Sequence, residues 1–157
     1  PVPITAQTLG VMLAGLILGR RRGAAAVLLM FVLVAIGLPV LSGGRGGLGA
    51  FVGPTAGFLI GWLPGAYIAG GLAEMHADAK SALRQTFGFF IAAAMGGIVV
   101  VYFFGIAWLA FGVGLGISKA VAGTVAFVPG DLVKAALAAL AARAVMVGYP
   151  LLPKRSA

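Results

Sequence analysis

Long apolar runs separated by short polar breaks fill this chain, and their length suits helices that cross a bilayer. A hydrocarbon core of about 30 Å takes roughly 20 helical residues, fewer where flanking side chains snorkel or the bilayer thins. Five segments meet that need: 4–18, 23–38, 54–72, 87–105 and 131–147, the first two short. Between them lie the triplet Arg20, Arg21 and Arg22, the glycine-rich loop SGGRGGLG at 42–49, and the polar loop EMHADAKSALR at 74–84. The stretch 106–130 holds Gly112, Gly114, Gly116, Lys119 and Pro129 and reads as a partly helical, re-entrant or surface connection. Non-helical backbone at that depth is tolerated only where protein or a cavity covers it.

Composition agrees with the pattern. The 157 residues are 62% hydrophobic and 9% charged, with a mean hydropathy of +1.15, well outside the soluble globular range. The expected fold is an all-α membrane protein, a polytopic helical bundle forming a single domain over 1–157. The formal charge of +8 does not indicate nucleic acid, because the basic residues cluster beside apolar runs and no basic face with interleaved aromatics exists. It sets topology instead. Arg20, Arg21, Arg22, Lys80, Arg84, Arg143, Lys154 and Arg155 fall on one side, with Arg45 and Lys119 opposite, so the first side and the C-terminus are expected to be cytoplasmic. Five spans would then leave Pro1 outside. A chain starting Pro-Val-Pro without methionine is expected to lack an N-terminal part carrying a first helix, for six spans in all. No cleavable signal sequence is recognisable.

Gly53, Gly57, Gly61 and Gly65 recur every fourth residue and form a ridge nearly free of side chains, which reads as a helix-packing seam. Ala135, Ala136, Ala138, Ala139, Ala141 and Ala142 favour tight packing in the last segment.

Catalytic chemistry is poorly represented. Cysteine is absent, which excludes disulfides, thiolate metal sites and cysteine nucleophiles. No HExxH, GxSxG or GxxxxGK[ST] sequence occurs. The one histidine, His76, reads as a solvated loop residue, and the chain is expected to be neither an enzyme nor a holder of metal or cofactor.

Asp131 and Lys134 stand out because they sit one turn apart in an apolar, alanine-rich context. Asp131 follows Pro129-Gly130 and suits a helix N-cap, where its carboxylate would accept free backbone N–H groups. That reading leaves Lys134 unexplained, since a cation near a helix start faces the positive end of the dipole. The alternatives are a structural i,i+3 ion pair and a ligand site for a molecule offering both donors and acceptors.

Three motifs carry a family resemblance: PVPITAQTLGVMLAGLILG at the start, GPTAGFLIGW from Gly53 to Trp62, and FVPGDLVKAAL from Phe127 to Leu137. In that order they resemble the BioY family, the biotin-binding S components of energy-coupling-factor transporters. The resemblance implies a six-helix protein of the prokaryotic cell membrane that captures biotin from outside. Delivery inward would need a transmembrane coupling protein and two cytoplasmic ATPases, which hydrolyse the ATP. Asp131 and Lys134 fall on family positions that contact biotin, and Gly53 to Thr55 together with the PVPITAQ segment border the same pocket. Gln7 and Thr55 are polar candidates that could equally bond a neighbouring helix backbone, and Lys134 could serve either the ureido carbonyl or the carboxylate. Phe58, Trp62 and Trp108 are wall candidates, and the 42–49 loop is expected to cover the site. Ala56, Phe58 and Ala126 depart from the family pattern of glycine, tyrosine and proline. Competing expectations are another small vitamin or biotin precursor as ligand, or a membrane scaffold in which Asp131 and Lys134 are purely structural.

Overall fold

A computed structural model describes residues 6–152. Residues 4 and 5 of the first predicted segment, the start of the PVPITAQ motif, and Lys154 and Arg155 lie outside the described residues. The described part is all-helical: α1 (Gln7–Ala35), α2 (Ala56–His76), α3 (Ala82–Gly112), α4 (Ile117–Val125) and α5 (Val128–Gly148).

The first two predicted segments become the arms of one interrupted element. Gly19 adopts φ 81°, a left-handed conformation that glycine enters without steric cost, and it breaks α1 into arms 7–18 and 20–35. A Cβ on Gly23 would stand 2.7 Å from the Ala14 carbonyl oxygen, so the chain doubles back and the arms lie side by side. The arginine triplet occupies the tip of this hairpin.

α2 packs against both neighbours through small residues. On one face a Cβ at Gly57 would meet Trp108 Cβ at 2.2 Å, and one at Gly65 would meet the Gly96 carbonyl oxygen at 2.6 Å. Gly61 faces Val101 and Phe104 of α3 in the same seam. On the other face Gly70 admits the backbone of Arg20, and Gly15 of α1 approaches Ala66. The predicted glycine ridge is therefore a packing seam at Gly57, Gly61 and Gly65. Lipid gives apolar side chains no incentive to leave it, so close backbone approach is what holds such helices together.

α3 extends beyond the predicted 87–105 at both ends. It contains two stretches of widened π geometry, Met95–Val100 and Trp108–Gly112. It stops where Gly114 and Gly116 take positive φ. The predicted connection 106–130 resolves into the end of α3, a short loop and α4, which meets α5 at 52°. α5 begins at Val128, ahead of the predicted Asp131, because Pro129 in the first turn lacks only an N–H that would be unpaired anyway. Its Ala135, Ala138, Ala139 and Ala142 are fully buried against Met12, Leu16, Phe89 and Ala92.

α2 and α3 are each long and apolar enough to cross a bilayer, and the bent α4–α5 pair is a third candidate span. His76 departs from the expectation of a solvated loop residue. It closes the last turn of α2, its Nδ1 lies 2.8 Å from the Leu72 carbonyl oxygen, and its ring fills the space left by Gly88 of α3.

Candidate ligand-binding site

At the end of the bundle away from the arginine turn, α1, α2, α3 and α5 place polar side chains around one cavity. Asp131 is only 4% exposed, and a buried carboxylate must be paired or collect donors to remain charged. Three donors converge on it. Lys134 Nζ lies 2.7 Å from Oδ1, the Thr8 hydroxyl donates to the same oxygen at 3.2 Å, and the Tyr102 hydroxyl donates to Oδ2. Lys134 Nζ also donates to Thr8 Oγ at 3.3 Å. The Thr8 hydroxyl thus accepts from the ammonium while donating to the carboxylate, as a group with one donor and two lone pairs can. The cluster ties α1, α3 and α5 together.

This geometry replaces the N-cap reading of Asp131. The cap position of α5 is Phe127, no side chain caps the helix, and the Asp131 carboxylate turns toward α1 and α3 instead.

The cavity has a volume of about 680 Å³, its open mouth included. Thr8, Tyr102, Asp131 and Lys134 form its polar end, and Phe58, Leu59, Trp62 and Phe127 supply an apolar and aromatic wall. Gln7 and Thr55 add amide and hydroxyl groups, while Leu41, Arg45 and Ala50 close one side from the loop between α1 and α2. That loop is held by a backbone bridge between Leu41 and Arg45 and by Arg45 Nε donating to the Ser42 carbonyl at 3.1 Å. Among the described residues Asp131 is the cavity's sole acid and Lys134 engages it, so Arg45 leaves their lining one positive charge in excess. The buried indole N–H of Trp62 meets no acceptor among the described residues, leaving a further donor at the wall.

The structure therefore brings Asp131, Lys134, Gln7, Thr55, Phe58 and Trp62 to one cavity. Gly53 is not in the lining; its carbonyl accepts the Trp108 indole N–H at 3.0 Å. Trp108 packs on Gly57 and Gly112 rather than forming a wall. Thr8, Tyr102 and Arg45 escape sequence reasoning. Tyr102 carried the available signal, a phenolic hydroxyl inside an otherwise apolar run.

A family model described as "BioY family" matches residues 1–150. A biotin transporter BioY of Rhizobium etli is 63% identical over 157 residues, covering 99% of this chain and 84% of that protein. A biotin transporter BioY of Rhodobacter capsulatus is 52% identical over 153 residues, covering 92% of this chain and 78% of its own. A crystal structure of the S component for biotin from an ECF-type ABC transporter superposes with a TM-score of 0.85 at 35% identity, covering 92% of this chain and 76% of that one. With a family model spanning nearly its whole length and relatives at this level of identity, the chain belongs to the BioY family.

Proposed function

We propose that this chain captures biotin in the Asp131–Lys134 cavity and acts as the substrate-binding component of an energy-coupling-factor transporter. The observation that carries the reading is the split polarity of one cavity: a charge-balanced pair, Asp131 and Lys134, at the polar end, an aromatic wall beside it, and the uncompensated Arg45 on the loop side.

Biotin matches these parts. Its ureido ring offers two N–H donors and one carbonyl acceptor. Asp131 accepts from an N–H, and Lys134, with three donors of which two are committed to Asp131 and Thr8, has one left for the carbonyl. Phe58, Leu59, Trp62 and Phe127 suit the sulfur-containing bicycle. The carboxylate is then assigned to Arg45, because a net cation attracts it better than a lysine already neutralised by Asp131. Gln7 and Thr55 serve as supporting hydrogen-bonding groups.

The 42–49 loop covers the site and opens for exchange. The arginine turn, the 74–84 connection and the C-terminal end of α5 gather at the opposite end of the bundle, where Leu152 approaches Gly19 beside Glu74. That arrangement supports one substrate-binding domain in a prokaryotic cytoplasmic membrane, with its cavity outside and its C-terminus inside. ATP hydrolysis and the coupling movement fall to separate subunits, a transmembrane coupling protein and two cytoplasmic ATPases.

The test is equilibrium binding of labelled biotin with competitors. Biotin is expected to bind tightly, unrelated vitamins such as thiamine not to compete, and biotin methyl ester to compete about tenfold or more weakly through loss of a charge-assisted hydrogen bond. Arg45→Ala should erase the difference between acid and ester. Absence of biotin binding by the parent protein refutes the proposal.

A further inference from the structure

We infer that the tip of the α1 hairpin is a binding site for the headgroup of an anionic phospholipid. A second cavity, about 720 Å³ with its mouth included, is lined by Leu18, Arg20, Arg21, Arg22, Glu74 and Leu151. It lies far from Asp131, at the other end of α2.

The site is built rather than incidental. Arg20 is fixed twice by Glu74, its backbone N–H donating to Oε1 at 2.9 Å and its Nε lying 3.4 Å from Oε2. Two glycines make that approach possible. A Cβ on Gly19 would stand 2.6 Å from Glu74 Oε1, and one on Gly70 would stand 2.3 Å from the Arg20 nitrogen. Among the described residues Glu74 is the only acid in the lining, and it is committed to Arg20. Arg21 and Arg22, both exposed, therefore bring two positive charges to a cavity edged by leucines.

Depth names the ligand class. The arm 20–35 rises about 24 Å at 1.5 Å per residue, short of a hydrocarbon core of about 30 Å. Leu28, Leu29 and Val32 on that arm are exposed, as suits a surface facing acyl chains. A guanidinium cluster at the end of a short, lipid-facing arm is held near the membrane boundary, where it draws headgroups toward it or thins the bilayer. A phosphodiester fits the arginine fork, which matches two oxygens at once. Leu18 and Leu151 would line the first carbons of the attached chains. A soluble phosphate would have no use for them.

The test is native mass spectrometry of delipidated protein offered phosphatidylglycerol and phosphatidylcholine in equal amounts. The parent protein is expected to retain phosphatidylglycerol preferentially. Arg21→Gln with Arg22→Gln should lower that preference by about 30-fold, while Lys80→Gln with Arg84→Gln leaves it intact. Helical circular dichroism checks that each variant is folded, and biotin binding should be unchanged in both. An undiminished preference in a folded Arg21/Arg22 variant overturns the assignment. So does displacement of the lipid by millimolar glycerol phosphate, which would mark a soluble-phosphate site. A variant that loses binding to an energising subunit while keeping its lipid preference would reassign the triplet to protein contact.

Discussion

The Asp131–Lys134 and Arg20–Glu74 pairs lie at opposite ends of the bundle and differ chiefly in what surrounds them. Side-chain exposure is 5% and 18% for Asp131 and Lys134, but 19% and 47% for Glu74 and Arg20. The first pair is embedded in hydroxyl groups from two other helices and opens onto an aromatic wall. The second fastens a turn and is flanked by surplus arginines. An ion pair becomes an instrument of recognition when burial makes each unmet donor expensive. Left near water, the same chemistry is a clip.

The largest effect should come from breaking the buried pair. Asp131→Ala leaves the Lys134 ammonium uncompensated, and biotin affinity is expected to fall about 100-fold or more, read by calorimetry. Next in size is the α2–α3 seam. Gly57→Ala forces a Cβ to within 2.2 Å of Trp108 Cβ and 2.5 Å of the Phe104 carbonyl oxygen, which should cost about 1–3 kcal/mol, measured as a lowered thermal midpoint in detergent. Tyr102→Phe removes one donor from Asp131 while keeping the ring, so affinity should drop about tenfold or less and the thermal midpoint should fall modestly, by about 1–2 kcal/mol of stability. Smallest is Glu74→Gln at the exposed pair, expected to shift stability by about 1 kcal/mol or less and to leave biotin affinity within twofold. A large loss of affinity there would erase the contrast between the two ends.

How much of this was legible in the sequence follows from the same physics. Asp131 and Lys134 announce themselves because charge in an apolar run is rare, and the glycine period of α2 states its own packing. The arginine triplet marks the turn between the arms correctly. Thr8 and Tyr102 are not legible there, because a single hydroxyl says nothing of which way it faces until the helices are assembled. The π turns flanking Tyr102 have no sequence signature, yet they set the register of α3. The glycines near the end of α3 read as breakers, although Gly112 continues the helix under the Trp108 ring. Arg45 sits in a loop whose glycines suggest only freedom, and its part in the cavity depends on the Leu41–Arg45 bridge.

The central claim, that the start of α5 is the polar site for biotin, meets its most direct test in calorimetry. Biotin would be titrated into detergent-purified protein alongside Asp131→Asn and Lys134→Ala. Tight binding by the parent protein, lost in both folded variants, is the predicted result. Tight binding that survives both substitutions would place the recognition of biotin elsewhere and contradict the account.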